Sequence, residues 1–125
     1  VSFIIANAKQ YLGQTHHDGH CVRFLQEIGK LPPTKEWRRG QKVRGNALAV
    51  GTCVATFSAS GHYESVTSGA SHAAILQGEE DVGLAVIDCW VGQPVQRRII
   101  RFKNGMLPAA DDGDAYYVIE SARLD

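Results

Sequence analysis

Ser71-His72-Ala73-Ala74-Ile75-Leu76-Gln77 and Leu84-Ala85-Val86-Ile87-Asp88-Cys89-Trp90-Val91 are two short, largely apolar runs, separated by the turn Gly78-Glu79-Glu80-Asp81-Val82-Gly83. Runs of this length, rich in small and branched residues and closed off by glycine, suit strands rather than helices. A polar turn between them predicts an antiparallel hairpin, which brings His72 and Asp88 near the same end on neighbouring strands. By alternation Asp88 shares a face with Leu84, Val86 and Trp90, so its carboxylate points where apolar groups are buried and requires a donor.

Outward from this hairpin, strands are expected at Thr52 to Phe57, Val95 to Phe102 and Ala115 to Ile119, and the upstream pattern is helical. Cys21-Val22-Arg23-Phe24-Leu25-Gln26-Glu27-Ile28 sets Val22, Leu25 and Ile28 on one face before Gly29, predicting a helix with Cys21 at its head. Phe3 to Leu12 has a similar spacing and ends at Gly13, which predicts a short first helix. Leu31-Pro32-Pro33-Thr34 cannot continue the second helix, because proline lacks an amide hydrogen and holds its predecessor extended. A connecting segment with Trp37, Arg38 and Arg39 then runs to Gly45. Helices first and strands second predict an α+β fold, N-terminal helices packed on an antiparallel sheet, with residues 1–125 forming a single domain. The polar stretch Ser58 to Ala70 is long enough to form the rim of a cleft.

Composition narrows the function. Lys plus Arg and Asp plus Glu are 13 each, so the formal charge is zero and no positive field favours nucleic acid as a partner. No run approaches the apolar length that spans a bilayer, and the opening Val-Ser-Phe-Ile-Ile lacks the basic start and small-residue cleavage site of a signal peptide. The three cysteines, Cys21, Cys53 and Cys89, are odd in number and too few for a disulfide framework.

A cysteine can therefore be present for its reactivity. The nucleophile is the thiolate, and the partial positive charge at a helix start favours it. Cys21 has that position and follows a polar loop, which predicts access from solvent, whereas Cys53 and Cys89 lie inside strands. The alternative is a small apolar residue packed beneath its helix. A thiol nucleophile needs a base, and the base needs a group to hold its ring. His72 is the candidate base and Asp88 the candidate orienting group, unless Asp88 instead pairs with Arg97, Arg98 or Arg101 on the following strand. A second chemistry is open to His16, His17, His20 and Cys21, whose side chains are metal-ligand types. Their spacing suits a tetrahedral site poorly, and neither metal nor cofactor is expected.

A helix-borne Cys, a strand His and an Asp on the next strand form the thiol, base and orienting group of acyl transfer. Gly19-His20-Cys21-Val22-Arg23-Phe24-Leu25-Gln26, Gly51-Thr52-Cys53-Val54-Ala55-Thr56-Phe57, Ser71-His72-Ala73-Ala74-Ile75-Leu76 and Val86-Ile87-Asp88-Cys89-Trp90 resemble the NlpC/P60 superfamily of papain-like cysteine hydrolases. The likeness is nearer the CHAP-type amidases, and nearest the small amidase effectors of type VI secretion. It implies a papain-like fold and hydrolysis of an amide bond in the peptide stem of bacterial peptidoglycan by Cys21, His72 and Asp88. Tyr11, His20 and Trp90 become candidates for lining the substrate pocket. The resemblance also implies an antibacterial effector secreted into the periplasm of a target bacterium, with a cognate immunity protein as a partner. Two further outcomes are a catalytically inactive binding or immunity-type protein of this fold, and a protease or deamidase acting on proteins.

Overall fold

The computed structural model describes residues 1–15, 20–64 and 71–121. Helix α1 spans Cys21–Gly29, and the strands are β1 Trp37–Lys42, β2 Cys53–Thr56, β3 Ala73–Glu80, β4 Gly83–Trp90, β5 Gln93–Arg101 and β6 Tyr116–Ser121. They form one six-stranded sheet in the order β1-β6-β2-β3-β4-β5, with every neighbouring pair antiparallel. The α+β class and the hairpin expected between His72 and Asp88 are both present.

Helix α1 lays Cys21, Phe24 and Leu25 on one face of the sheet, against Ala55, Ala73, Ile75, Ile87 and Cys89. Val54, Ala74, Leu76, Leu84, Val86, Ile100 and Tyr116 fill a second cluster. The central strands are thus covered on both faces, which is why β2 to β4 read as continuous apolar runs rather than as alternation. The small side chain of Ala73 on β3 leaves room for α1 above it.

Two expectations need correction. Phe3 to Leu12 is not a helix: Ser2 bridges Glu120, Ile4 bridges Thr52, and only Ala8–Tyr11 winds into a 3₁₀ turn. The Ile5 amide donates to the Gly51 carbonyl and the Cys53 amide to the Phe3 carbonyl, so the sheet supplies partners that outweigh a weak local helical preference. Ile5 is buried while Ile4 is exposed, a period of two that the helical reading passed over. The segment around Trp37, Arg38 and Arg39 is strand β1 rather than a connection. It is an edge strand with Trp37 buried and charged residues outward, a pattern that guards an edge against further pairing and hides the strand in the sequence.

Candidate active site

His20 is extended at the N-cap, and Cys21 is the first residue of α1, as expected. Its exposure differs from expectation, because the Cys21 side chain is buried under the sheet end of α1. Its thiol hydrogen-bonds the Cys89 thiol, and the backbone amide of Cys89 also donates to it. Between Asp88 and Trp90 the β4–β5 register shifts, so that Pro94 and Val95 together stand opposite Cys89. Bulges of this kind re-aim groups at the ends of sheets.

Burial pushes the Cys21 thiol well above the ordinary thiol range, and the Cys89 contact and the Asp88 charge push the same way. These effects favour the protonated thiol at rest. Cys53 is likewise pushed up by burial, to about 12, and sits fully inside the core.

His72 lies one residue before β3, tied to β2 by its backbone: its amide donates to Thr56 Oγ1, and its carbonyl accepts from the Thr56 amide. Its ring Nε2 is 2.7 Å from Asp88 Oδ2. Asp88 is completely buried on β4, and Arg98 of β5 grips it with Nε 2.9 Å and Nη2 2.8 Å from Oδ2. Burial alone would lower the Arg98 pKa, but the hydrogen bonds and charge of Asp88 raise it. Asp88 thus has both partners that the sequence left as alternatives, the imidazole and an arginine. Because Nε2 is turned to the carboxylate, the donor tautomer at that nitrogen leaves Nδ1 with a lone pair.

Trp90 closes the arrangement. It is 42% exposed, its ring meets the His72 ring edge-on with centroids 6.5 Å apart, and the Arg98 guanidinium lies 4.9 Å from its centroid.

A sequence profile of the family described as Domesticated amidase effector 2 matches residues 2–119, a span that includes Cys21, His72 and Asp88. The chain belongs to that family. Among its relatives, a type VI secretion amidase effector 2 protein of Salmonella typhi is 31% identical over 136 aligned positions, covering 94% of this chain and 98% of the relative. A domesticated amidase effector 2 of Ixodes scapularis is 37% identical over 105 positions, covering 80% of this chain and 70% of the relative. A solved structure of type 6 secretion amidase effector 2 (Tae2) superposes with a TM-score of 0.84 at 29% identity, covering 96% of this chain and 95% of that one. The papain-like α+β fold expected from the sequence is the fold of this amidase effector chain.

Other expected site residues of this family member are placed less centrally. Tyr11 is half-buried and packs edge-on against Phe24, with centroids 5.5 Å apart, so it braces α1. His20 is exposed at the head of α1, one residue from the thiol. His16 and His17, offered with His20 and Cys21 as metal-ligand types, lie outside the described residues. Two residues were not settled by the sequence. Arg98 was one of three candidates for Asp88, separable only once the register was known. Gln96, opposite Asp88 in β5, keeps a buried side-chain nitrogen with no hydrogen-bond partner among the described residues. A surface hollow lined by Arg44, Glu79, Glu80, Asp81 and Phe102 lies by the β3–β4 turn, at the far end of the hairpin from His72.

Proposed function

We propose that this chain is a cysteine amidase that cuts an amide bond in the peptide stem of bacterial peptidoglycan. The observation that carries the reading is the His72–Asp88 contact of 2.7 Å at a fully buried carboxylate; the pair lies on the sheet face of Ala74 and Val86, and Cys21 packs with Cys89 on the face under α1, at the same end of these strands. Membership of an amidase effector family supports the reaction class.

Cys21 rests as a thiol, so the proton leaves during attack rather than before it. His72 Nδ1 takes the thiol proton while the sulfur adds to the carbonyl carbon, and Asp88 holds the ring and stabilises the imidazolium. Helix geometry leaves the first amides of α1 without intrahelical acceptors, and they are the donors proposed for the oxyanion. His72 then protonates the departing amine, leaving a thioester on Cys21. Water, deprotonated by His72, releases the new carboxylate and restores the thiol. A substrate carbonyl entering beside Asp88 would satisfy the Gln96 nitrogen, whose burial without a partner is otherwise costly. The exposed Trp90 is proposed to offer its face to the stem peptide, and His20 and Tyr11 are proposed as further contacts.

The proposed setting is that of an antibacterial effector delivered to the periplasm of a target bacterium, with a cognate immunity protein protecting the producer. No helix among the described residues is long and apolar enough to cross a membrane.

Digestion of purified sacculi tests the proposal. The expected result is release of fragments carrying a new amine and a new carboxylate at one stem-peptide bond, identified by mass. Intact sacculi, or cleavage confined to the glycan strands, would overturn it. Two variants refine the site in the same assay. Trp90→Ala is expected to lower kcat/KM about tenfold, since a stacked aromatic contributes roughly 1 kcal/mol or more beyond its buried area. An unchanged value removes Trp90 from the site. Asp88→Asn is expected to lower kcat by about a hundredfold or more, because the amide can present the wrong hydrogen-bonding group to Nε2. Full activity in that variant returns Asp88 to a structural role.

A further inference from the structure

We propose that Arg98 is a positioning residue for this site: it locks the Asp88 carboxylate that orients His72, cancels that carboxylate's charge, and stacks beneath the exposed Trp90. This rests on the proposed role of His72 as base.

Four side chains close a ring. His72 Nε2 reaches Asp88 Oδ2 at 2.7 Å, and Arg98 Nε reaches both carboxylate oxygens, at 3.1 Å to Oδ1 and 2.9 Å to Oδ2. Arg98 Nη2 adds a third contact at 2.8 Å to Oδ2. The guanidinium lies 4.9 Å from the Trp90 centroid, and Trp90 returns edge-on to His72 at 6.5 Å. Two nitrogens on one rigid, planar group fix the carboxylate in direction as well as position, which a single ammonium cannot do. The carboxylate in turn fixes the imidazole. Tilting the guanidinium would therefore move the base and the aromatic face together.

The charge matters as much as the geometry. Asp88 is completely buried, and its negative charge opposes ionisation of Cys21. Arg98 is the cation in direct contact with it. Tyr116 of β6 also faces this site, as do Tyr63 toward Cys21 and Asp111 toward Arg98, and none of these supplies a positive charge. Removing Arg98 leaves the buried Asp88 charge, which already opposes ionisation of Cys21, without its cation, so the alkaline limb of the pH profile should move upward. At an effective dielectric near 20 and a few ångströms, the displacement is on the order of one pH unit or more.

The test measures kcat/KM against pH on soluble peptidoglycan fragments for the parent, Arg98→Gln and Arg98→Lys, with thermal melts of each. Arg98→Gln is expected to lose activity at least tenfold and to carry the alkaline limb to higher pH. Arg98→Lys restores the charge without the fork, so its alkaline limb should lie near that of the parent while its rate stays several-fold reduced. A purely structural role would lower the melting temperature and leave the alkaline limb in place. An unmoved profile in folded Arg98→Gln overturns the proposal, and so does Arg98→Lys with the parent's full rate. If Arg98→Gln does not fold, the rate of the lysine variant decides. Cys21→Ala in the same assay separates this outcome from failure of the functional reading: undiminished turnover there removes the cysteine mechanism itself.

Discussion

Cys21→Ala is expected to reduce hydrolysis of peptidoglycan fragments by at least about a thousandfold, to the background of the assay. The loss follows from the chemistry, because the thioester is the step that divides amide hydrolysis into two easier halves and alanine has no atom with which to form it. The fold should survive. The side chain is small, and deleting one buried sulfur costs about 1 kcal/mol in transfer and cavity terms. Phe24 and Leu25 still anchor α1 on Ala73 and Ile75. The paired readouts are turnover and the thermal melt. Wild-type turnover in a folded Cys21→Ala protein would exclude the mechanism.

His72→Ala is expected to produce the second largest effect, about a hundredfold to ten-thousandfold at neutral pH, the usual worth of a positioned acid–base group. It should also change the form of the pH profile. Burial raises the Cys21 thiol well above its ordinary range, so with the base removed the thiolate fraction at neutral pH is small. Below the thiol's pKa that fraction grows tenfold with each pH unit. Residual activity in His72→Ala should therefore climb steadily into the alkaline range, past the optimum of the parent. A residual rate that is flat with pH, or an unchanged rate at neutral pH, would separate His72 from Cys21.

Much of the candidate site was legible because buried polar groups announce themselves. Asp88 stands alone in Leu84-Ala85-Val86-Ile87, and a carboxylate there had to have donors close by. The hairpin turn then set His72 near it. The helix at Cys21 was legible from Val22, Leu25 and Ile28, and from Gly29 closing it. What stayed hidden depends on contacts between distant segments. The exposure of Cys21 is decided by Cys89 and Ala73 coming up against α1, and no local pattern encodes that. The same holds for the N-terminal residues, whose partners are the Gly51 carbonyl and Thr52. Strand β1 was disguised by its edge position, since Arg38, Arg39 and Lys42 look like a loop when only one face of a strand is covered. Arg98 was hidden by the choice among three arginines, which alternation alone does not settle.

The central claim is an acyl group carried on one sulfur. Peptidoglycan stem fragments mixed with enzyme and quenched in acid within the first turnover can be followed by intact-protein mass, with the adduct then mapped by peptide digestion. A mass increase equal to the acyl portion of the fragment, located on Cys21 and absent from Cys21→Ala, is the predicted result. The same adduct on Cys53, Cys89 or any other residue, or product released at the wild-type rate by Cys21→Ala, would contradict it.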